Sequence, residues 1–192
     1  MIANRFKEKF AFLLAPLGDV VSKTGISPNQ LTLLGMVLSI LAGVVIGLGH
    51  PLWGALLVIL GGLCDALDGT IARSTQKVTR FGAFLDSTLD RYSDLALYMG
   101  VMALAFNHRD LSLFLWTALA LAGAIMVSYT RARAECIIEN CQVGIMERPE
   151  RVIILLVGLI FHWLEGAMVL TAILANWTAL QRIHHTYKQL RD

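Results

Sequence analysis

A chain of 192 residues that is 56% hydrophobic and 16% charged, with a mean hydropathy of +0.64, has room for one domain and falls outside the soluble range. Its net charge of +2 points to no nucleic-acid partner. The apolar residues run through the whole chain, so a cleaved signal peptide is not expected. Cys64, Cys136 and Cys141 are odd in number and lack metal-ligand spacing; they read as unpaired small residues in a reducing compartment.

In chain order, residues 2–22 place Ile2, Phe6, Phe10, Leu13, Leu14, Leu17 and Val21 at helical spacing, with Arg5, Lys7, Glu8 and Lys9 between them. This pattern predicts an amphipathic helix lying in the membrane interface. At 25–32 (GISPNQLT), Gly25 and Pro28 turn the chain, and Ser27 or Asn29 can cap the next helix. Apolar windows then fall at 31–49, 52–73, 82–107, 111–135, 151–164 with its flanks, and 165–183, on the scale of the roughly 20 residues that cross a bilayer. The expected fold is an all-α integral membrane protein: six transmembrane helices at 31–183, preceded by the interfacial helix, in one domain over 1–192. Short turns at 49–51, 107–110 and 162–165 alternate with polar segments at 74–81 and 136–150. With a cytoplasmic N-terminus, Arg5, Lys7, Lys9, Lys23, Arg73, Lys77, Arg80, Arg131, Arg133, Arg148, Arg151, Arg182, Lys188 and Arg191 fall on or near that side, leaving Arg109 opposite. The positive-inside rule sets that orientation in a cell membrane.

The stretch LCDALDGTIARSTQKVTRFGAFLDSTLDRYSD, residues 63–94, interrupts this apolar sequence with five aspartates. Only 13 uncharged residues run from Leu52 to Cys64, which a helix extends to about 20 Å of a hydrocarbon core about 30 Å thick. The helix must therefore continue past Asp65 to cross, and the next must hold Asp94, with Asp90, below the membrane surface. Carboxylates at that depth face a cavity, a partner charge or an ion. Asp65 and Asp68 share a helical face with Gly69 and Ala72, while Gly82, Asp86 and Asp90 recur every four residues on the next helix. Four carboxylates so gathered suit a hard divalent cation, Mg²⁺ or a similar ion. Ion pairing with Arg73, Arg80 and Arg91 is the structural alternative, but three arginines do not neutralise five aspartates. Asp94 is left to pair with a nearby arginine.

The fixed positions Asp65, Asp68, Gly69, Ala72, Arg73, Gly82, Asp86 and Asp90, with their gaps, resemble the signature of the CDP-alcohol phosphotransferases. Members of that family displace CMP from a CDP-linked lipid with an alcohol hydroxyl. The resemblance implies that Asp65, Asp68, Asp86 and Asp90 hold Mg²⁺, or Mn²⁺, and that Asp90 doubles as the base that takes the acceptor's proton. It implies CDP-lipid contacts at Asn29, Thr32, Asp68, Gly69, Arg73 and Gly82, and a homodimer among membrane lipids.

The second polar region concerns the acceptor. Ser128, Arg131, Arg133, Arg148, Arg151 and Arg182 fall near the cytoplasmic ends of the last three expected spans. Singly each arginine reads as a positive-inside residue; together they form an anion site for a phosphorylated alcohol, since guanidinium forks bind phosphate bidentately. FLDSTLDRYSD, RARAE and ERPER are most similar to the bacterial phosphatidylinositol-phosphate synthases, whose acceptor is inositol 1-phosphate, although Arg131 stands where that branch often has lysine. Glycerol 3-phosphate as acceptor and an ether-linked donor are the near alternatives. An ion transporter is the alternative of another class, and it is disfavoured because the aspartates gather toward one membrane face without a charged path onward.

Overall fold

Six α-helices carry the described residues, 27–74 and 79–191, of the computed structural model, and no strand occurs among them. They are α1 (Pro28–Gly47), α2 (Pro51–Ser74), α3 (Arg80–Asn107), α4 (Leu111–Ala134), α5 (Arg148–Ile160) and α6 (Leu164–Gln189). The amphipathic helix expected over 2–22 lies outside the described residues.

The starts are written in local chemistry. Ser27 and Gln30 form a reciprocal cap on α1: the Gln30 N–H donates to Ser27 Oγ at 3.4 Å and the Ser27 N–H to Gln30 Oε1 at 2.8 Å. Pro28 takes the first helical position, where its missing N–H is not needed. Thr79 Oγ1 accepts from the Gly82 N–H at 2.9 Å to open α3, and Asp110 Oδ1 accepts from the Leu113 N–H at 2.9 Å to open α4. At the α1–α2 turn the backbone takes a φ of +89°, which Gly49 adopts without strain.

Helices α1, α2 over Pro51–Ile71, and α4 are long and apolar enough to cross a membrane. Their outward faces are apolar: Leu33, Leu34, Val37, Ile40, Leu41 and Val44 on α1 are 41% to 54% exposed, a surface suited to lipid rather than water. The other three helices fall short of that standard for separate reasons. Helix α3 is diluted by Asp86, Asp90, Arg91 and Asp94; α5 has 13 residues, about 20 Å of rise; and α6 carries Glu165, Asn176 and Arg182. Helix α6 also runs beyond the expected limit at 183 to Gln189, because no Gly or Pro follows Gly166 to break it.

The helices group into two compact units. Of the described residues the first comprises 27–41, 56–74 and 79–93, where Leu31, Leu67 and Ile71 form a small core with Leu63 and Ala66 against it. The second comprises residues 42–55 and 94–192. There α4 and α6 pack closely at Gly123, where a Cβ would stand 2.7 Å from Asn176 Nδ2 and 2.9 Å from Ala175 Cβ. Val127, Met146, Ala175 and Ala179 fill the neighbouring core.

Candidate active site

In the first unit the start of α1, the end of α2 and the start of α3 bring the acidic residues and their neighbours together. Thr32 is 5% exposed and Asp68 is 7% exposed, and the Thr32 hydroxyl donates to Asp68 Oδ2 at 2.6 Å. That bond fixes one carboxylate oxygen of Asp68, which also lies in electrostatic range of Asp65 and Asp86. Asp65 Oδ1 occupies the space that a Cβ on Gly35 would need, and the Gly61 carbonyl lies 3.2 Å from the same point. Asn29 reaches the start of α3: its Oδ1 would sit 3.3 Å from a Cβ at Gly82. A glycine at 82 therefore leaves the backbone of α3 open beside the Asn29 carboxamide.

Asp90 is half-buried, with Arg91 Nη1 3.6 Å from its Oδ2. Gly69 follows Asp68 on α2, and Arg73 lies on the last turn of the same helix. Among the described residues, no three His, Cys, Asp or Glu side chains converge at coordination distance. The donor chemistry nevertheless suits one kind of guest: oxygen-only carboxylates in mutual electrostatic range fit a hard divalent cation. Gly35 is the residue here that spacing in the sequence did not single out. Its signal was a glycine inside an apolar helical run, a choice that costs about 1 kcal/mol relative to alanine unless packing requires it.

The second unit holds the arginines in two groups. In one, Asp94, the aspartate outside the spacing pattern, makes its pairing with Arg151 at 2.7 Å from Nη2 to Oδ2, and Arg148 Nε stands 3.6 Å from Oδ1. Arg151 is 3% exposed. In the other group, Arg131 Nη1 and Arg182 Nη2 lie 3.5 Å and 3.7 Å from the same Glu147 Oε1, and Arg131 Nε bonds Glu135 Oε1 at 2.9 Å. Arg182, 2% exposed, also donates from Nε to the Val143 carbonyl at 2.9 Å and from Nη1 to the Val127 carbonyl at 2.6 Å. Its guanidinium thus clamps the 135–147 segment to α4. Arg131 and Arg151 each lie within electrostatic range of Arg182. Arg133 is exposed, and Ser128 is half-buried with its hydroxyl donating to the Ala124 carbonyl at 3.3 Å.

Residues 25–181 match the family described as CDP-alcohol phosphatidyltransferase. The chain is 36% identical to the archaetidylinositol phosphate synthase of Pyrococcus horikoshii over 97% of each chain. It is 37% identical to the phosphatidylinositol phosphate synthase of Mycobacteroides abscessus over 93% of this chain and 85% of that one. Among solved structures, the phosphatidylinositol phosphate synthase of Mycobacterium tuberculosis with CDP-DAG bound superposes with a TM-score of 0.83 at 35% identity, covering 90% of this chain and 92% of that chain. The same enzyme in complex with manganese and citrate gives a TM-score of 0.84 at 34% identity, covering 90% and 88%.

Proposed function

Since the chain belongs to the CDP-alcohol phosphatidyltransferase family, we propose that it transfers the phosphatidyl group of CDP-diacylglycerol, or of a related CDP-lipid, to inositol 1-phosphate, releasing CMP. The observation that carries this reading is that the chain holds two chemically distinct sets of residues. One unit gathers carboxylates around Asp68, and the other holds several arginines beside Asp94 and Glu147. Carboxylates suit a metal-assisted pyrophosphate cleavage; guanidiniums suit an acceptor that is itself phosphorylated. The names of relatives on both sides, phosphatidylinositol and archaetidylinositol phosphate synthases, support inositol phosphate over glycerol 3-phosphate.

Asp65, Asp68, Asp86 and Asp90 would hold Mg²⁺ or Mn²⁺; when bound, the cation neutralises the pyrophosphate and stabilises the departing CMP. Thr32 keeps Asp68 oriented through its hydroxyl. Asn29, Thr32, Gly69, Arg73 and Gly82 border the nucleotide and phosphates. An Asp90 carboxylate oxygen takes the proton of the acceptor hydroxyl as the hydroxyl's own oxygen bonds to the lipid phosphorus and the phosphoanhydride to CMP breaks. Arg151, with Ser128, Arg131, Arg133 and Arg148, receives the acceptor phosphate, and Arg182 braces the segment that carries part of this set. All six helices cross or enter the cell membrane, with the aspartates and arginines toward the cytoplasm.

The test is purified protein with CDP-diacylglycerol or a CDP-linked ether lipid, Mg²⁺, and inositol 1-phosphate, glycerol 3-phosphate, free inositol or serine as acceptor, following CMP. Inositol 1-phosphate is expected to give the fastest release and free inositol essentially none. Faster release with glycerol 3-phosphate would overturn the acceptor assignment while leaving the reaction class intact.

A further inference from the structure

We infer that Asp94 is a positioning residue for acceptor binding: it fixes the guanidinium of Arg151 so that the donors it leaves unused are presented to the acceptor's phosphate. This rests on the proposed reading of Arg151 as an acceptor-phosphate ligand. Asp94 is 7% exposed and Arg151 3% exposed, and their bond of 2.7 Å uses Arg151 Nη2 alone. Arg151 Nε and Nη1 are buried and make no hydrogen bond in the structure. Buried guanidinium donors without acceptors are unfavourable, and a phosphate oxygen is the acceptor that their fork geometry fits.

The charge balance agrees. Arg148 Nε lies 3.6 Å from the other carboxylate oxygen, so one negative charge stands between two positive ones. Tyr98, 3% exposed, stands beside both Asp94 and Arg151, with its hydroxyl in reach of the Arg151 guanidinium. A long side chain such as arginine explores many rotamers unless something restrains it. Asp94 supplies that restraint from α3, while the backbone of α5 supplies the arginine.

Kinetics on the purified enzyme, with CDP-diacylglycerol as donor and inositol 1-phosphate as acceptor, separate orientation from charge and from folding. Asp94→Ala is expected to raise the acceptor KM at least tenfold, with the donor KM within twofold of the parent. Asp94→Glu keeps the charge but displaces the carboxylate by one methylene, and it should raise the acceptor KM severalfold. Asp94→Asn keeps a carbonyl oxygen for Arg151 and should stay within threefold. Inorganic phosphate, used as a competitive inhibitor against the acceptor, should weaken in the same order. If Asp94→Ala does not fold, the contrast between Glu and Asn still decides. An acceptor KM unchanged or lowered in both Ala and Glu variants, or raised equally with that of the donor, would overturn the inference. Arg151→Ala is the control for the reading beneath it. A normal acceptor KM there removes the acceptor site and this inference together, whereas a raised one with normal Asp94 variants removes the inference alone.

Discussion

At the level of single residues, a carboxylate within a membrane helix persists only where something compensates for its lost hydration. Asp68 shows part of that compensation, a buried hydroxyl donor at 2.6 Å from Thr32, and Asp65 and Asp86 share its surroundings. The Gly69 backbone adds a second hydrogen bond to Asp68, and three carboxylates within electrostatic range of one site are oxygen donors of the kind a hard divalent cation takes. Asp65→Asn, Asp68→Asn, Asp86→Asn and Asp90→Asn are each expected to reduce CMP release by about a hundredfold or more, the scale for losing a general base or a metal-borne charge. Each should leave the detergent-solubilised protein folded by thermal melting; near-normal turnover in any two would end the metal-site assignment. Gly35 carries a second prediction, because its missing Cβ leaves the place that Asp65 Oδ1 occupies. Gly35→Ala should lower kcat while a chelator titration shows weaker retention of Mg²⁺, because the carboxylate has to move; unchanged metal retention would show that Asp65 is not held there for a ligand. That Asp65 and Asp86 lie near Asp68 was legible from spacing, because helical periodicity fixes which residues share a face. Gly35 was not, since its role depends on a partner 30 positions away on another helix.

Among the elements, the polar segment between α4 and α5 is where periodicity has least to say, yet the structure ties it firmly to α6. Met146 N–H donates to Thr178 Oγ1 at 3.1 Å, and a Cβ on Gly144, at a φ of +115°, would run into the Thr178 side chain. Arg182 completes the tie through the carbonyls of Val127 and Val143. In sequence Arg182 resembled another positive-inside residue or phosphate ligand; what distinguished it was burial, to which composition is blind. Removing it strands two carbonyls and leaves Glu147 without one of its cations. Arg182→Ala is therefore expected to cost about 3 kcal/mol, roughly 6 to 12 °C in thermal midpoint for a chain of this length. Arg182→Lys should recover only part, because an ammonium does not reach two diverging carbonyls with a planar fork. Equal midpoints for Arg182→Ala and the parent would show that the clamp carries no stability. The starts of the helices were far more legible, Ser27 with Pro28 above all, because a cap is a contact among near neighbours.

For the molecule as a whole, sidedness is the property on which the chemistry depends, since a nucleotide donor and a phosphorylated acceptor are water-borne at their polar ends. In the proposed orientation, drawn from the distribution of arginine and lysine, the polar segments face the cytoplasm and the Asn107 to Asp110 turn, with Arg109 its lone arginine, faces the opposite side. The chain carries its own probe of this arrangement: Cys136 is exposed and lies just beyond α4, whereas Cys141 is buried. In intact cells a membrane-impermeant thiol reagent should leave Cys136 unmodified, and permeabilisation should expose it. A cysteine introduced at His108, in the turn before α4, should show the reverse pattern and react without permeabilisation. Six crossings demand that these two positions, separated by one helix, lie on opposite sides; labelling of both from the same side would mean that α4 does not cross. The same experiment addresses α5, which at 13 residues is shorter than the hydrocarbon thickness. A cysteine replacing His162 at the end of α5 should react from outside only if α5 and its flanks together complete a crossing. Protection of that position, with His108→Cys labelled, would instead make α5 a re-entrant segment and place the start of α6 within the membrane.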